Sequence, residues 1–271
     1  MPELPEVETT RRGIAPHVLG DPITDLLVRE RRLRWPVPRG LRGSLRGQCF
    51  DRIDRRAKYL LFRSGAGCMI LHLGMSGSLR IVAGDLRPGK HDHVDFVFAS
   101  GRRLRFRDPR RFGSIHWTTK DPAVHRLLKG LGPEPLDGTL TGEYLHSRSR
   151  GRTQAVKNFI MDSHIVVGVG NIYASESLHA AGIRPQRAAG RVSLADYGRL
   201  AEEIRNVLTA AIGKGGTTLR DFTSGVGEPG YFRTELRAYE RAGEPCLRCG
   251  TRIRAIRLGQ RSTFYCPNCQ R

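Results

Sequence analysis

At 271 residues, the chain is long enough for two domains with hydrophobic cores of their own. It carries 46 Lys and Arg against 26 Asp and Glu, a net charge of +20, which is typical of proteins that bind a phosphate backbone, although solubility or an arginine-rich genome would explain part of it. It has no apolar run of about 18 residues and no basic, apolar secretory signal, so we expect an intracellular protein without a membrane span.

The chain begins Met-Pro-Glu-Leu-Pro-Glu. Removal of Met1 would leave Pro2 with a free secondary amine, which is partly unprotonated at neutral pH and can attack a sugar carbon to form an imine. Glu3 supplies a neighbouring carboxyl group for proton transfer. The alternative interpretation is structural, because prolines and acidic residues also suit the first turn of a helix, here predicted over Glu3–Pro16.

The first half of the chain has the pattern of an all-β domain. Short segments rich in β-branched and aromatic residues alternate with turns rich in glycine and charge, as in a β-sandwich or flattened barrel. The predicted strands are Ile23–Glu30, Cys49–Asp54, Tyr59–Arg63, Cys68–Leu73, Ser78–Val82, His93–Ala99, Arg103–Arg107 and Gly113–Thr118. Cys49 and Cys68 fall in these apolar segments, and we interpret both as core residues.

A segment rich in proline and glycine, 130–138, marks the boundary with a helical half. One helix is predicted to begin at Gly170–Asn171 and to end near Gly182, with first-turn N–H groups that suit a phosphate. Another follows Ser193, which with Asp196 resembles a capping box. Its apolar face is predicted to contain Leu194, Tyr197, Leu200, Ala201, Ile204, Val207, Leu208 and Ala211.

Four of the six cysteines form two pairs, Cys246 with Cys249 and Cys266 with Cys269, separated by 16 residues. This spacing is typical of a four-thiolate zinc ribbon, whereas disulfides are rare inside cells. The sequence between the pairs predicts two strands joined by a turn at Gly259–Arg261. Because four cysteines fill a tetrahedral site, we expect one structural Zn²⁺ with no open position for a substrate.

Further motifs join the N-terminus and the cysteines in a fixed order. They are Arg55–Leu60, His72–Arg80, Lys90–His93, Asp108–Gly113, Val167–Glu176 and Gly215–Asp221. Together, over nearly the whole chain, they resemble the bacterial formamidopyrimidine-DNA glycosylases, which are also called 8-oxoguanine DNA glycosylase/AP lyases.

This resemblance implies an α+β fold in four segments. They are an N-terminal catalytic β-sandwich domain with an N-terminal helix over 1–129, a linker over 130–138, a helix–two-turn–helix domain over 139–235 and a zinc-ribbon β-hairpin over 236–271. It further implies a monomeric base-excision repair enzyme that binds damaged double-stranded DNA in the bacterial cytoplasm, at the nucleoid. The oxidised purine must be flipped out, because its glycosidic carbon is inaccessible within the stack.

The resemblance assigns four catalytic residues. Pro2 is the nucleophile that forms a Schiff base, and Glu3 is the carboxylate that transfers a proton during ring opening. Lys58 corresponds to a general acid/base or phosphate-anchoring lysine used in β-elimination, although its neighbours alone favour a solvated strand cation. Arg261 corresponds to the hairpin arginine of δ-elimination, where a permanently protonated guanidinium suits a phosphate clamp better than a proton donor.

The resemblance also assigns contacts with the duplex. Met75 fills the space that the flipped base leaves, Arg110 pairs with the orphaned cytosine, and Phe112 wedges into the adjacent base step. These roles suit, in that order, a flexible thioether, a planar guanidinium and an aromatic ring. From the residues alone, two tight turns with ordinary core side chains fit equally well. The assigned phosphate contacts are His91, Arg111, Arg152, Lys157 and Asn171, of which Arg152 is the loosest match. The segment Thr217–Tyr231 matches a loop that closes over the flipped base.

Two alternatives remain at this point. One is the endonuclease VIII branch, which prefers oxidised pyrimidines and usually departs from the pattern of Met75, Arg110 and Phe112. The other is a non-catalytic zinc-ribbon DNA-binding protein, which explains the charge and the cysteines but neither the Met-Pro-Glu start nor Lys58.

Overall fold

The computed structural model describes residues 2–216 and 235–271. Its helices and strands, numbered in chain order, are α1 Leu4–Val18, β1 Ile23–Val28, α2 Leu41–Leu45, β2 Arg52–Arg56, β3 Tyr59–Ser64, β4 Gly67–His72, β5 Ser78–Val82, β6 Asp92–Phe98, β7 Arg103–Arg107, β8 Ser114–Thr118, α3 Gly142–Ser149, α4 Val156–Ile160, α5 Asn171–Ala181, α6 Leu194–Gly213, β9 Arg254–Leu258 and β10 Arg261–Tyr265. Among these described helices, none has the length and apolar character needed to cross a membrane.

The described residues form two compact units. The first comprises residues 2–129 and 214–216, and the second comprises residues 130–213 and 235–271. The finer division into four segments, with boundaries after 129, 138 and 235, stays a prediction.

The first unit contains a β-sandwich. One antiparallel sheet has the strand order β1-β6-β7-β5, and the other has the order β2-β3-β4-β8. Side chains from both sheets and from α1 share one buried core, in which Phe50, Phe62 and Phe98 pack ring against ring. All eight predicted strands are present, and the predicted α+β fold with an N-terminal sandwich is confirmed.

The largest error in the predicted strands lies before β2, which begins at Arg52 rather than at Cys49. The carbonyls of Gln48 and Phe50 accept hydrogen bonds from the N–H groups of Ile23 and Gly20 instead of joining the sheet ladder. As a result Cys49 is only partly buried, and its interpretation as a core residue is wrong. Cys68, at 3% exposure, is a core residue as predicted.

The second unit is helical and carries the β9–β10 hairpin. The N–H of Asp196 donates to Ser193 Oγ at 3.1 Å, which confirms the predicted cap of α6. Six of the eight residues predicted for the apolar face of α6 are buried, whereas Val207 is only partly buried and Leu194 is 47% exposed. Leu194 is the first residue of the helix, where packing neighbours lie on one side only, so its assignment to the buried face is wrong.

Candidate active site and DNA-binding surface

The N-terminal residues are buried at the start of α1. Pro2 is buried, and Glu3, at 2% exposure, is the N-cap residue of the helix. The N–H of Glu3 donates to Glu6 Oε2 at 2.9 Å, which satisfies one of the N–H groups that a helix start leaves open. A carboxylate in this position is also stabilised by the helix dipole. The helix start therefore fixes Glu3 next to Pro2, and the structural and chemical interpretations of this segment are compatible.

The sequence pattern alone predicts no role for Glu6. Its side chain has no exposed surface, and Gly216 of the same unit approaches it closely. A Cβ added to Gly216, which has φ +82°, would lie 3.0 Å from Glu6 Oε1. The chain thus passes the N-terminal carboxylates directly before residue 217. The loop assigned to Thr217–Tyr231 itself lies outside the described residues.

Lys58 lies in a tight turn and not in a strand. Arg56 pairs with Tyr59, so only Ala57 and Lys58 join β2 to β3. Ala57 is buried and has φ +56°, an unfavourable conformation for a residue with a side chain, of a kind that is enriched at functional sites. The strained turn therefore gives Lys58, which is partly buried, a fixed place beside the β3–β4 pair.

The charge of Lys58 affects His72. Burial, followed by the positive charges of Lys58 and Arg34, lowers the pKa of His72 to about 4, so its ring is neutral at physiological pH. Its Nδ1 accepts a hydrogen bond from the N–H of Gly74 at 2.9 Å, and the Tyr59 ring lies 4.8 Å away. His72 thereby links the Lys58 turn to the loop that follows β4.

A groove of about 760 Å³ brings together the three side chains assigned to the opened duplex. Met75 is 40% exposed and Phe112 is 42% exposed, so the alternative of ordinary core residues is wrong for both. The guanidinium of Arg110 lies over the Phe112 ring at 4.9 Å. Exposed apolar side chains beside a cation are a typical surface for stacking on bases.

Two predicted phosphate contacts, His91 and Arg111, line a second groove of about 450 Å³. The other charged residues of its lining are Arg29, Lys90, Glu30 and Asp92. Arg111 is exposed, with φ +56°, and its Nη1 lies 3.3 Å from Glu30 Oε2. An anion such as a phosphate would compete with this carboxylate for the guanidinium.

Lys157, which the resemblance assigns to phosphate contact, lies in the interior of the second unit. It is fully buried, and its Nζ donates to Asn171 Oδ1 at 2.7 Å, to Thr263 Oγ1 at 2.9 Å and to the carbonyl of Ser262 at 3.1 Å. Because these acceptors enclose the ammonium group, its burial does not support a direct phosphate contact. Lys157 instead ties α4 to the start of α5 and to β10.

The other assigned residues of the second unit are accessible. Asn171 is partly exposed at the first position of α5, and its Nδ2 donates to the carbonyl of Ser262 at 3.0 Å. Arg152 is exposed in the loop before α4. Arg261 is exposed and opens β10, directly after Gly259 and Gln260, whose φ values of +53° and +63° suit a two-residue hairpin turn.

The four predicted zinc ligands converge. The Sγ atoms of Cys246, Cys249, Cys266 and Cys269 all lie within 4.8 Å of one another. Cys246 and Cys269 are 4.0 Å apart, and Cys249 and Cys266 are 3.5 Å apart. Zn–S bonds of about 2.3 Å in a tetrahedron place the sulfur atoms about 3.8 Å apart, so the cluster fits one Zn²⁺.

Three family models match the chain in sequence order. The formamidopyrimidine-DNA glycosylase N-terminal domain matches residues 1–115, the H2TH domain of the same enzyme matches 131–223, and the zinc finger found in FPG and IleRS matches 243–271. The formamidopyrimidine-DNA glycosylase of Alkalilimnicola ehrlichii is 61% identical, and that of Ectopseudomonas mendocina is 60% identical, with 100% of each chain covered.

The chain belongs to the formamidopyrimidine-DNA glycosylase family. This membership makes it a DNA glycosylase of base-excision repair and confirms the predicted structural zinc, while the non-catalytic alternative loses its support. Among solved structures, a complex of Lactococcus lactis Fpg with DNA containing an abasic site matches with a TM-score of 0.92 and 33% identity, covering 99% of each chain. A complex of the same wild-type enzyme with N7-benzyl-Fapy-dG DNA has the same score and identity, covering 100% of each.

Proposed function

We propose that this glycosylase removes oxidised purines, such as 8-oxoguanine and formamidopyrimidines, from duplex DNA and then cleaves the strand at the abasic site. The observation that carries the proposal is the N-terminus itself, where Pro2 and the capping carboxylate Glu3 lie side by side at the start of α1. The similar L. lactis structures contain DNA with a Fapy-dG lesion or an abasic site, which supports DNA as the partner of this chain.

The chemistry begins at the amine of Pro2 after removal of Met1. The amine bonds to C1′ as the glycosidic bond breaks, and the departing base takes up the proton that the amine loses. The C1′–O4′ bond then breaks, the sugar ring oxygen takes a proton from Glu3, and a Schiff base to the opened sugar results. Lys58, which the strained turn holds in place, serves as the acid or base in the β-elimination that breaks the 3′ bond. In the δ-elimination that follows, the C4′ proton is lost and the C5′–O bond breaks, and Arg261 clamps the phosphate that leaves. A one-nucleotide gap remains.

The DNA contacts divide into base reading and phosphate binding. Met75, Arg110 and Phe112 fill and read the opened duplex, and their shared groove supports this role. The exposed or partly exposed phosphate contacts are His91, Arg111, Arg152 and Asn171. Lys157 contributes indirectly, because it holds Asn171 and the hairpin together.

We also infer that the protein works as a monomer in the bacterial cytoplasm, at the nucleoid. The location is inferred from the substrate, because the DNA of a bacterium lies in the nucleoid. Light scattering of the free protein and of its complex with a short duplex tests the monomer, and a 2:1 complex would contradict it.

Borohydride trapping tests the proposed reaction and the lesion preference together. Duplexes carrying 8-oxoguanine opposite cytosine, or an oxidised pyrimidine opposite its partner, are incubated with the protein and reduced. We expect a covalent adduct mainly with the 8-oxoguanine duplex. Base release without any adduct would contradict the Schiff base, and a preference for the pyrimidine lesion would instead favour the endonuclease VIII branch.

A further inference from the structure

Asp108 follows β7 directly, and none of its surface is exposed. Its Oδ1 accepts a hydrogen bond from Ser76 Oγ at 2.9 Å, in the loop that follows β4. Its Oδ2 accepts a hydrogen bond from the N–H of Gly113 at 2.7 Å, at the end of its own loop. A buried carboxylate is costly unless its oxygens are hydrogen-bonded. Each oxygen of Asp108 therefore holds a different loop segment.

Ser76 extends this link to Arg110. Its hydroxyl group donates to Asp108 and accepts a hydrogen bond from the N–H of Arg110 at 3.3 Å. The backbone of Asp108 is held as well. Its N–H donates to the carbonyl of His91 at 3.0 Å, and its carbonyl accepts from the N–H of Arg111 at 3.2 Å.

The two loops also meet backbone against backbone. Gly74 has φ +70°, and a Cβ at this position would lie 2.4 Å from the nitrogen of Gly113 and 2.4 Å from the carbonyl carbon of Phe112. A Cβ on Gly113 would lie 2.9 Å from the carbonyl oxygen of His72. Such contacts leave little room for independent movement, so a shift of one loop displaces the other.

We propose that Asp108 is a positioning residue that joins these loops into one rigid element for reading the opposite strand. Met75 directly precedes Ser76, Phe112 directly precedes Gly113, and the N–H of Arg110 is bound through Ser76. The buried carboxylate acts through these three exposed side chains. The proposal rests on the proposed function, in which the three side chains fill and read the opened duplex.

Asp108→Asn tests the proposal with little change of shape. It replaces one acceptor oxygen with an NH₂ donor. Towards Gly113 this donor opposes another N–H, and towards Ser76 it makes the hydroxyl an acceptor for both the NH₂ group and the N–H of Arg110. The readout is binding to duplexes that carry a stable abasic analogue opposite cytosine or adenine, because binding does not require catalysis. We expect the wild type to prefer cytosine and Asp108→Asn to lose about fivefold or more of that preference. The matched control is the exposed Asp85→Asn, which should keep it.

Ser76→Ala removes the same link from the other loop. If the two residues act through one hydrogen bond, the double variant should lose much less preference than the product of the two single losses. Single losses that multiply fully would overturn the proposal, as would a cytosine preference that survives in both Asp108→Asn and Ser76→Ala or is absent from the wild type.

Trapping on single-stranded abasic DNA separates this proposal from the proposed chemistry. We expect Asp108→Asn to form the adduct, because a single strand has no opposite base to read. Equal loss of this adduct and of binding to both duplexes would overturn the proposal, since the carboxylate would then support the whole sandwich. Failure of the wild type to form any adduct would contradict the Schiff base alone, because the cytosine preference is measured by binding.

Discussion

At the residue scale, the capping position of Glu3 leads to a specific prediction for catalysis. Glu3→Gln keeps the size of the side chain but removes the acid, so excision should fall by about 10²–10⁴-fold while lesion duplex is still bound. Single-turnover excision of 8-oxoguanine, with affinity measured separately, checks this. Glu143→Gln, which changes an exposed glutamate in the first turn of α3, is the control. Undiminished excision by Glu3→Gln would remove Glu3 from the mechanism.

The adjacent residues Arg110 and Arg111 should behave differently. Arg110→Ala removes a base-edge contact worth about 1–3 kcal/mol, so the preference for cytosine over adenine opposite 8-oxoguanine should fall about tenfold. Arg111→Ala should weaken binding to both duplexes equally and reduce the salt dependence by about one counterion. Single-turnover excision of both duplexes at several salt concentrations distinguishes them. The reverse pattern would mean that the two roles are exchanged.

His72 makes stability depend on pH. Its pKa is about 4 in the folded protein, lowered mainly by burial, against an ordinary value of 6.5. Between these values the unfolded chain takes up the proton and the folded protein does not, so the free energy of unfolding should decrease as pH falls from 6.5 towards 4. His116, whose pKa is also lowered to about 4, contributes in the same window.

Urea unfolding at a series of pH values measures this effect. His72→Asn should show a shallower loss of stability across the window than the wild type. Identical slopes for His72→Asn and the wild type would show that His72 is not the titrating group.

At the scale of elements, the β9–β10 hairpin depends on its metal. Its hydrophobic cluster consists of Cys246, Ile253 and Cys266 with two partly buried neighbours, so zinc binding supplies most of its folding energy. Cys249→Ser should therefore weaken duplex affinity, because Arg261 and Asn171 lose their fixed framework, while the sandwich keeps its unfolding transition. Cys49→Ser, outside the cluster, is the control. Full affinity after verified metal loss would show that the hairpin does not contribute to DNA binding.

The same scale shows what the sequence can predict. Ser78–Val82 and Arg103–Arg107 have the predicted bounds because turns rich in glycine or charge flank short strands in which apolar and polar residues alternate. The zinc ligands could also be predicted from the sequence, because the spacing of the cysteines alone identifies them. The start of β2 was missed because its preceding residues bond to Gly20 and Ile23, a pairing that local pattern does not contain.

The network around Asp108 and the burial of Lys157 were beyond the sequence for a related reason. The packing of the two sheets decides which loops meet. The sequence of Asp108–Gly113 alone therefore does not predict which residues Asp108 contacts. The burial of Lys157 likewise cannot be predicted from its sequence neighbours, because its hydrogen-bond acceptors, such as Asn171 and Thr263, lie in other elements.

At the scale of the whole molecule, we assign DNA affinity and lesion selectivity to different features. The net charge of +20 favours contact with any duplex and makes affinity depend on salt. Selectivity must then come from the sandwich, which holds the reading loops and the N-terminal amine in the same compact unit. The central claim is therefore chemical: the bond to the sugar forms at Pro2.

Mass spectrometry of the borohydride-trapped complex tests this claim most directly. After digestion of protein and DNA, the account predicts that the sugar remnant is attached to the amine of Pro2, in a peptide that has lost Met1. A protein that keeps an N-terminal extension should give no adduct. A remnant attached to Lys58 or to another lysine, or an adduct formed with Met1 still in place, would contradict the account.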